Sequence, residues 1–281
     1  MIGALIFAQN NESIDYTKLA VFAAERVINY LNIPVSLVTD NKQWLLDTYP
    51  LHKFDQIIEI PVDMDVQVRS MNDGSLSSTK LAWKNLTRHQ VYDLTPYDET
   101  LVMDSDYILN SSILSKAFAR GYDIQIYKNS FDVAGWRETT EFTRINEYAI
   151  PFYWATVFFF RKTEITKTFF ALISYIKAHW FYYRILYNIE SPIFRNDFAF
   201  SIAIHIMNGK TDGDFVVELP GTMTFCTDKD ILINIDGKNV QLLLAHPTRI
   251  GEYVAAKTSG LDIHIMNKMS LGRFIDGGSD V

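Results

Sequence analysis

Ile2 to Ala8 is an unbroken apolar run that ends at Gln9-Asn10-Asn11. A strand without polar alternation has to be covered on both faces, as in a parallel sheet flanked by helices. Residues 17 to 31 then place Leu19, Phe22, Ala23, Val27 and Tyr30 at helical spacing, with Asp15 as N-cap and Asn32-Ile33-Pro34 as the stop. Val35 to Val38 reads as a second strand ending in Thr39-Asp40, and Gln56 to Ile60 as a third. Strand, helix and strand joined by turns rich in Asn, Asp and Pro form a βαβ pattern. The chain contains neither G-x-G-x-x-G nor G-x-x-x-x-G-K, so dinucleotide and P-loop readings lose support.

A fourth apolar run, Thr100 to Met103, follows a Pro96-Tyr97-Asp98 turn and ends in Asp104-Ser105-Asp106. Open α/β sheets bind ligands beyond the carboxyl ends of their strands. Two carboxylates one residue apart there suit a hard divalent cation, which takes oxygen ligands from side chains and from substrate phosphates. Near the other end of the chain, Asp262-Ile263-His264-Ile265-Met266-Asn267-Lys268 offers an imidazole and an ammonium.

Between these motifs, Asp63 to Ser77 reads as a polar surface segment or a lip of the site. Ser78 to Tyr92 is expected to be a helix packing through Leu81, Ala82, Leu86 and Tyr92, with Lys80 in its first turn. Ser112 to Ala119 reads as a short helix, Ile124 to Tyr127 as a strand, and Asn129 to Pro151 as a long irregular loop. Tyr153 to Phe160 is expected to be a strand. Residues 163 to 187 read as an amphipathic helix dense in rings, with basic residues from Arg161 to Arg184 as an alternative nucleic-acid contact. Arg195 begins a helix that runs to Met207 and ends at Asn208-Gly209. Phe215 to Leu244 reads as a set of short strands.

The strand leading into Asp104-Ser105-Asp106, together with the late His264, resembles the GT-A glycosyltransferases that use nucleotide-sugar donors. That resemblance implies an α/β fold: a GT-A-like single domain over 1–281 with a central, mostly parallel (mixed) sheet flanked by helices. Residues 1–110 would be its nucleotide-binding half, and residues 111–281 its acceptor side and C-terminal metal-binding segment. It further implies Mn²⁺ or Mg²⁺ held by Asp104, Asp106 and His264. A UDP-type donor would be met by Ala8, Gln9, Asp40, Lys80, Asp104, Ser105, Asp106 and Lys268. Asp40 can equally cap the following helix, and Lys80 can equally face solvent. Trp154 and Thr156 would line the acceptor pocket.

Asn196-Asp197 resembles the Asn-Asp-Gln segment at the catalytic face of several retaining members, with Phe198 where Gln is common. Capping of the helix is the competing role for both residues. The spacing from His264 to Lys268 is shorter than the family's His-x-x-Gly-x-x-Lys form. The chain also resembles glycosyltransferase-like proteins of tailed bacteriophages, which points to hydroxymethylated cytosine in DNA as one acceptor.

With 281 residues, 48% of them hydrophobic, the chain supplies a large core. A net charge of -7 and a pI near 5.4 argue against a surface generally coated by nucleic acid. The single cysteine, Cys226, excludes an internal disulfide framework and reads as a small buried hydrophobe. No signal-peptide pattern and no membrane-length apolar run is present, so a cytoplasmic protein without a membrane partner is expected, in host cytoplasm if viral. Two other classes stay open: a binding or virion-associated protein that keeps the fold without turnover, and a nucleotidyltransferase-like enzyme.

Overall fold

The computed structural model describes every residue except 63–65, 85–86, 138–141, 146–149 and 278–281. Its first unit is the expected one: β1 (Ile2–Phe7), α1 (Tyr16–Leu31) and β2 (Val35–Thr39). The Asp15 carboxylate accepts the Lys18 N–H at the start of α1. Asn32 ends that helix with a left-handed backbone at φ 53°, its N–H donating to the Ile28 carbonyl. Next come α2 (Lys42–Thr48) and β3 (Ile57–Glu59).

The expected loop and helix that follow are instead an antiparallel hairpin, β4 (Gln67–Asn72) and β5 (Ser78–Trp83). Only Leu81 of β5 is buried, so the Leu81 and Ala82 pair read as one helical face is split between the two faces of a strand. Leu86, the third residue of that reading, lies outside the described residues. The turn passes through Gly74 at φ +76°, a conformation open to glycine. A 3₁₀ turn over Arg88–Gln90 leads into the short α3 (Val91–Leu94), which carries Tyr92.

The chain then forms β6 (Glu99–Asp104), β7 (Tyr107–Ile108), α4 (Lys116–Ala119), β8 (Ile124–Ile126), β9 (Ser130–Asp132) and β10 (Val157–Arg161). The expected strand over Tyr153 to Phe160 loses its first half for a local reason. The Tyr153 N–H donates to Ser201 Oγ and the Ala155 N–H to Asp197 Oδ1, so side chains take these two bonds, while the Trp154 N–H still donates to the Tyr127 carbonyl. The long aromatic helix is divided into α5 (Glu164–Ala178) and α6 (Trp180–Leu186). Thr163 and Thr166 cap α5 reciprocally, and Phe169, Phe170, Ile173 and Ile176 form its buried face. In α6, by contrast, Phe181, Tyr182, Ile185 and Leu186 are exposed. The remaining elements are α7 (Asn196–Met207), β11 (Met223–Cys226), β12 (Ile231–Asp236), β13 (Asn239–Ala245), β14 (Tyr253–Ser259), β15 (Ile263–Ile265) and α8 (Lys268–Gly277).

The central sheet has the order β3-β2-β1-β6-β10-β8. β3, β2, β1 and β6 are parallel, and β10 runs against both β6 and β8. The fold is thus α/β with a mixed, mostly parallel sheet flanked by helices. A second sheet, β7-β15-β11-β9, and a third, antiparallel β12-β13-β14, sit beside it. Cys226 is buried, as expected, and burial pushes its thiol far above the ordinary range. Among the described residues no helix is long and apolar enough to cross a membrane.

β1 passes close to one ring at Gly3. A Cβ added at Gly3 would stand 2.4–2.5 Å from the Tyr97 ring, whose hydroxyl is anchored 2.7 Å from Ser36 Oγ. Gly3→Ala is therefore expected to cost about 1–3 kcal/mol through overpacking. Urea denaturation checks this, and an unchanged midpoint would show that Tyr97 yields without cost.

Candidate active site

Asp104 is the last residue of β6, opposite Phe7 of β1, so it stands at the carboxyl edge of the parallel strands. Asp106 follows in the tight turn between β6 and β7. β15 then pairs antiparallel with β7, setting His264 opposite Tyr107, and the Ile265 N–H donates to the Asp106 carbonyl at 2.9 Å. Through this ladder, ligand atoms of Asp104, Asp106 and His264 all lie within 4.8 Å of one another. The His264 Nε2 is 3.2 Å and the Lys268 Nζ 2.7 Å from Asp106 Oδ2. Arg88 donates to Asp104 Oδ1 and to the Ala155 carbonyl.

Burial opposes ionisation of both carboxylates, and the outcome differs between them. At Asp106 the charges of Lys268 and His264 outweigh burial and hold the carboxyl well below its usual range. At Asp104 burial wins over Arg88, and the group is raised. Lys268 lies above its ordinary value because Asp106 more than offsets its burial. The Tyr16 hydroxyl, pushed up to about 12 chiefly by burial, stays protonated beside them.

Two carboxylates and one imidazole are a donor set that suits Mn²⁺ and, less well, Mg²⁺. The buried Nδ1 of His264 has no hydrogen-bond partner among the described residues, so Asp106 alone orients the ring through Nε2. Arg88 and Lys268 already balance the two carboxylates, so a divalent ion would leave the cluster with surplus positive charge. A diphosphate is the kind of ligand that offsets such a surplus.

The cluster opens into a cavity of about 860 Å³. Ala8, Gln9, Ser105, Asn196, Asp197 and Lys268 line it, as do the two expected acceptor residues, Trp154 and Thr156. Both polar ends of the buried Gln9 amide lack a hydrogen-bond partner among the described residues. Asp197 is held by the Ala155 N–H and by Arg195, each at 2.9 Å. Trp154 is also core: its ring packs on Phe142 at 4.9 Å and Phe225 at 5.3 Å, and the edge of His264 meets it at 6.2 Å.

Two expected donor residues are not brought to the cavity wall. Asp40 is buried and lies 3.5 Å from Lys84, and Lys84 is the one that lines the cavity. Lys80 is exposed on β5 and is not in a helical first turn, because Ser78–Trp83 is a strand. The sequence reading passed over Tyr16, Arg69, Lys84 and Arg195, which also line the cavity. No local pattern marks Arg69, because Val68 and Met71 stand three apart and fall on opposite faces of β4. No residue from Arg161 to Arg184 lines the cavity.

No protein-family model and no curated protein matches the sequence. Among solved structures, the chain is similar to the galactosyltransferase LgtC in complex with donor and acceptor sugar analogs, at 13% identity and a TM-score of 0.45, covering 78% of this chain and 73% of that one. It is similar to mouse xyloside xylosyltransferase 1 at 12% identity and a TM-score of 0.45, covering 78% and 85%. A third likeness is to the glycosyltransferase GlyE of Streptococcus pneumoniae TIGR4, at 10% identity and a TM-score of 0.43 over 78% of this chain. The chain spans only 46% of the GlyE chain. These are partial likenesses, and the chemistry below rests on this chain's own residues.

The Asp106–Lys268 pair carries a stability consequence. Asp106→Asn leaves a buried ammonium without its charge partner and is expected to cost roughly 3 kcal/mol. Adding Lys268→Met should recover most of that loss. Chemical denaturation of the two single variants and the double variant measures the coupling, and purely additive effects would show that the pair contributes nothing.

Proposed function

We propose that this protein is a metal-dependent glycosyltransferase that moves a sugar from a nucleotide-diphosphate sugar to an acceptor hydroxyl. The observation that carries this reading is the convergence of Asp104, Asp106 and His264 at the carboxyl edge of the sheet, inside a cavity that also presents Asp197. Residues 1–110 would serve the donor nucleotide, and residues 111–281 the acceptor and the C-terminal half of the metal site. The unpartnered Gln9 amide suits a nucleotide base or ribose.

A bound Mn²⁺ or Mg²⁺, held by Asp104, Asp106 and His264, would supply Lewis-acid neutralisation of the leaving diphosphate. Lys268 adds a fixed ammonium to the same anion, and Arg88 fixes the Asp104 carboxylate in place. Asp197 would face the anomeric carbon, its carboxylate oriented by the Ala155 N–H and Arg195. A carboxylate at that carbon favours retention of configuration. Trp154 and Thr156 would border the acceptor. A hydroxyl of DNA would have to enter without help from the basic segment between Arg161 and Arg184, because none of it lines the cavity.

Two measurements test this reading. In calorimetry, UDP should bind at least about tenfold more weakly in EDTA than in Mn²⁺, and Mn²⁺ should gain the same factor from UDP by linkage. Equal affinity in EDTA and Mn²⁺ would end the metal-dependent reading. In a screen of nucleotide sugars for donor hydrolysis with Mn²⁺, Asp197→Asn should keep the fold and the nucleotide affinity. Its turnover should fall on the order of a hundredfold or more, the pattern of an interaction made in the transition state. The N-cap of α7 is Arg195 and no side chain caps it, so unchanged turnover would return Asp197 to a purely structural role, accepting the Ala155 N–H, which asparagine can also do.

A further inference from the structure

The cavity wall formed by the β4–β5 hairpin holds a cation that the reading above does not use. Of the other cations lining the cavity, Lys84, Arg88, Arg137, Arg195 and Lys268 each have a carboxylate within ion-pair distance, and Lys229 is exposed. Arg69 has neither an ion pair nor a hydrogen bond among the described residues. Its guanidinium lies 3.6 Å from the centroid of the Trp83 ring, its diagonal neighbour across the hairpin. The ring covers one face of the guanidinium and leaves the N–H edges available.

Arg195 lines the same cavity, its guanidinium 5.0 Å from the Phe198 ring centroid. Its Nε is buried without a hydrogen-bond partner among the described residues. Burial chiefly, with the charge of Arg195, lowers Arg69 to about 10 against the opposing effects of Asp197 and Tyr16, so it remains cationic near neutrality. Asp197 offsets one of these two arginines, and one positive charge is left over. The charges acting on Asp104 and Asp106 form a different set, chiefly Arg88, Lys268 and His264.

We propose that Arg69 and Arg195 form a second anion subsite that takes a carboxylate or phosphate carried by the substrate outside the nucleotide diphosphate. Planar guanidinium forks on aromatic supports suit bidentate binding of such oxyanions. This deepens the glycosyltransferase reading and rests on it for the identity of the substrate: either the transferred sugar is acidic or the acceptor is.

Two calorimetric arms separate these sources. The first compares UDP-glucuronic acid with UDP-glucose in Mn²⁺. The second compares glucose 6-phosphate with glucose on protein saturated with UDP and Mn²⁺. In one arm the anionic member should bind at least about tenfold more tightly, and Arg69→Gln should abolish that preference while leaving UDP affinity unchanged. Arg69→Lys keeps the charge without the fork and should retain part of the preference. Thermal melts of both variants confirm that the hairpin is folded, and if Arg69→Gln does not fold, a loss of the preference in Arg195→Gln decides the matter. No preference in either arm, a preference that survives Arg69→Gln, or an equal loss of UDP affinity in Arg69→Gln each overturns the subsite. If UDP fails to bind at all, glucose 6-phosphate titrated alone still decides. Arg69-dependent binding then keeps the subsite while the glycosyltransferase reading falls, and its absence removes both.

Discussion

The candidate site depends on a ladder only two residue pairs long. Ile263 and His264 pair with Ile108 and Tyr107, and the Ile265 N–H reaches back to the Asp106 carbonyl. Without that ladder, Asp104 and Asp106 would be an ordinary acidic turn at the end of a strand, and His264 would be some 160 residues away in sequence. Flanking contacts reinforce it. Asp262 Oδ1 accepts the N–H groups of Asn110 and Ser111, both at 2.8 Å, and Asn267 Oδ1 accepts the Ser270 N–H at the start of α8. The backbone is thus tied down on both sides of the imidazole, which limits the entropy lost when the cluster closes on a ligand.

Charge in this region is organised by local neutralisation. Arg137 lies between Asp132 and Asp230 with N–O distances of 2.6–2.8 Å, linking the end of β9 to the turn before β12. Burying ions in this way yields little net stability, because desolvation consumes most of the attraction. What it does secure is geometry, since a buried pair with one partner displaced is far more costly than the intact pair. The same reasoning applies to Arg88 with Asp104 and to Lys268 with Asp106. Their carboxylates are held at the cavity wall by cations that are themselves largely buried.

Legibility of the sequence followed the kind of interaction involved. β1, β2 and β6 were readable because burial on both faces demands unbroken apolar runs, and α1 because its cap and its 3.6-residue spacing agree. The Asp104–Asp106–His264 grouping was readable through a family resemblance, since no local pattern relates residue 106 to residue 264. The β4–β5 hairpin was not readable. Its faces are half-exposed, so hydrophobic periodicity carries little signal, and its anchors are long-range: Asn72 to Asp228 and Ser75 to the Tyr253 hydroxyl. A hairpin fixed by partners more than 150 residues away leaves almost no trace in its own sequence. Arg69 is unmarked in the sequence, and Lys80 is assigned to a helix instead of a strand, for that one reason.

This division of labour also follows from topology. The metal-ligand grouping sits where strands of the central and second sheets end, on backbone that is buried and doubly hydrogen-bonded. Another part of the wall comes from a two-stranded hairpin whose strands, among the described residues, pair only with each other, tied at the turn to Asp228 and Tyr253 and at Ala82 to Asn11. Segments with few buried contacts and exposed backbone hydrogen bonds belong to the low-stability end of a protein's local opening spectrum. A substrate that bridges the two would meet buried, charge-paired groups on one side and a half-exposed hairpin on the other. Under the proposed function, the residues around Asp104 and Asp106 would govern whether reaction is possible, while those on the hairpin, Arg69 and Trp83 foremost, would bear on which substrate is accepted.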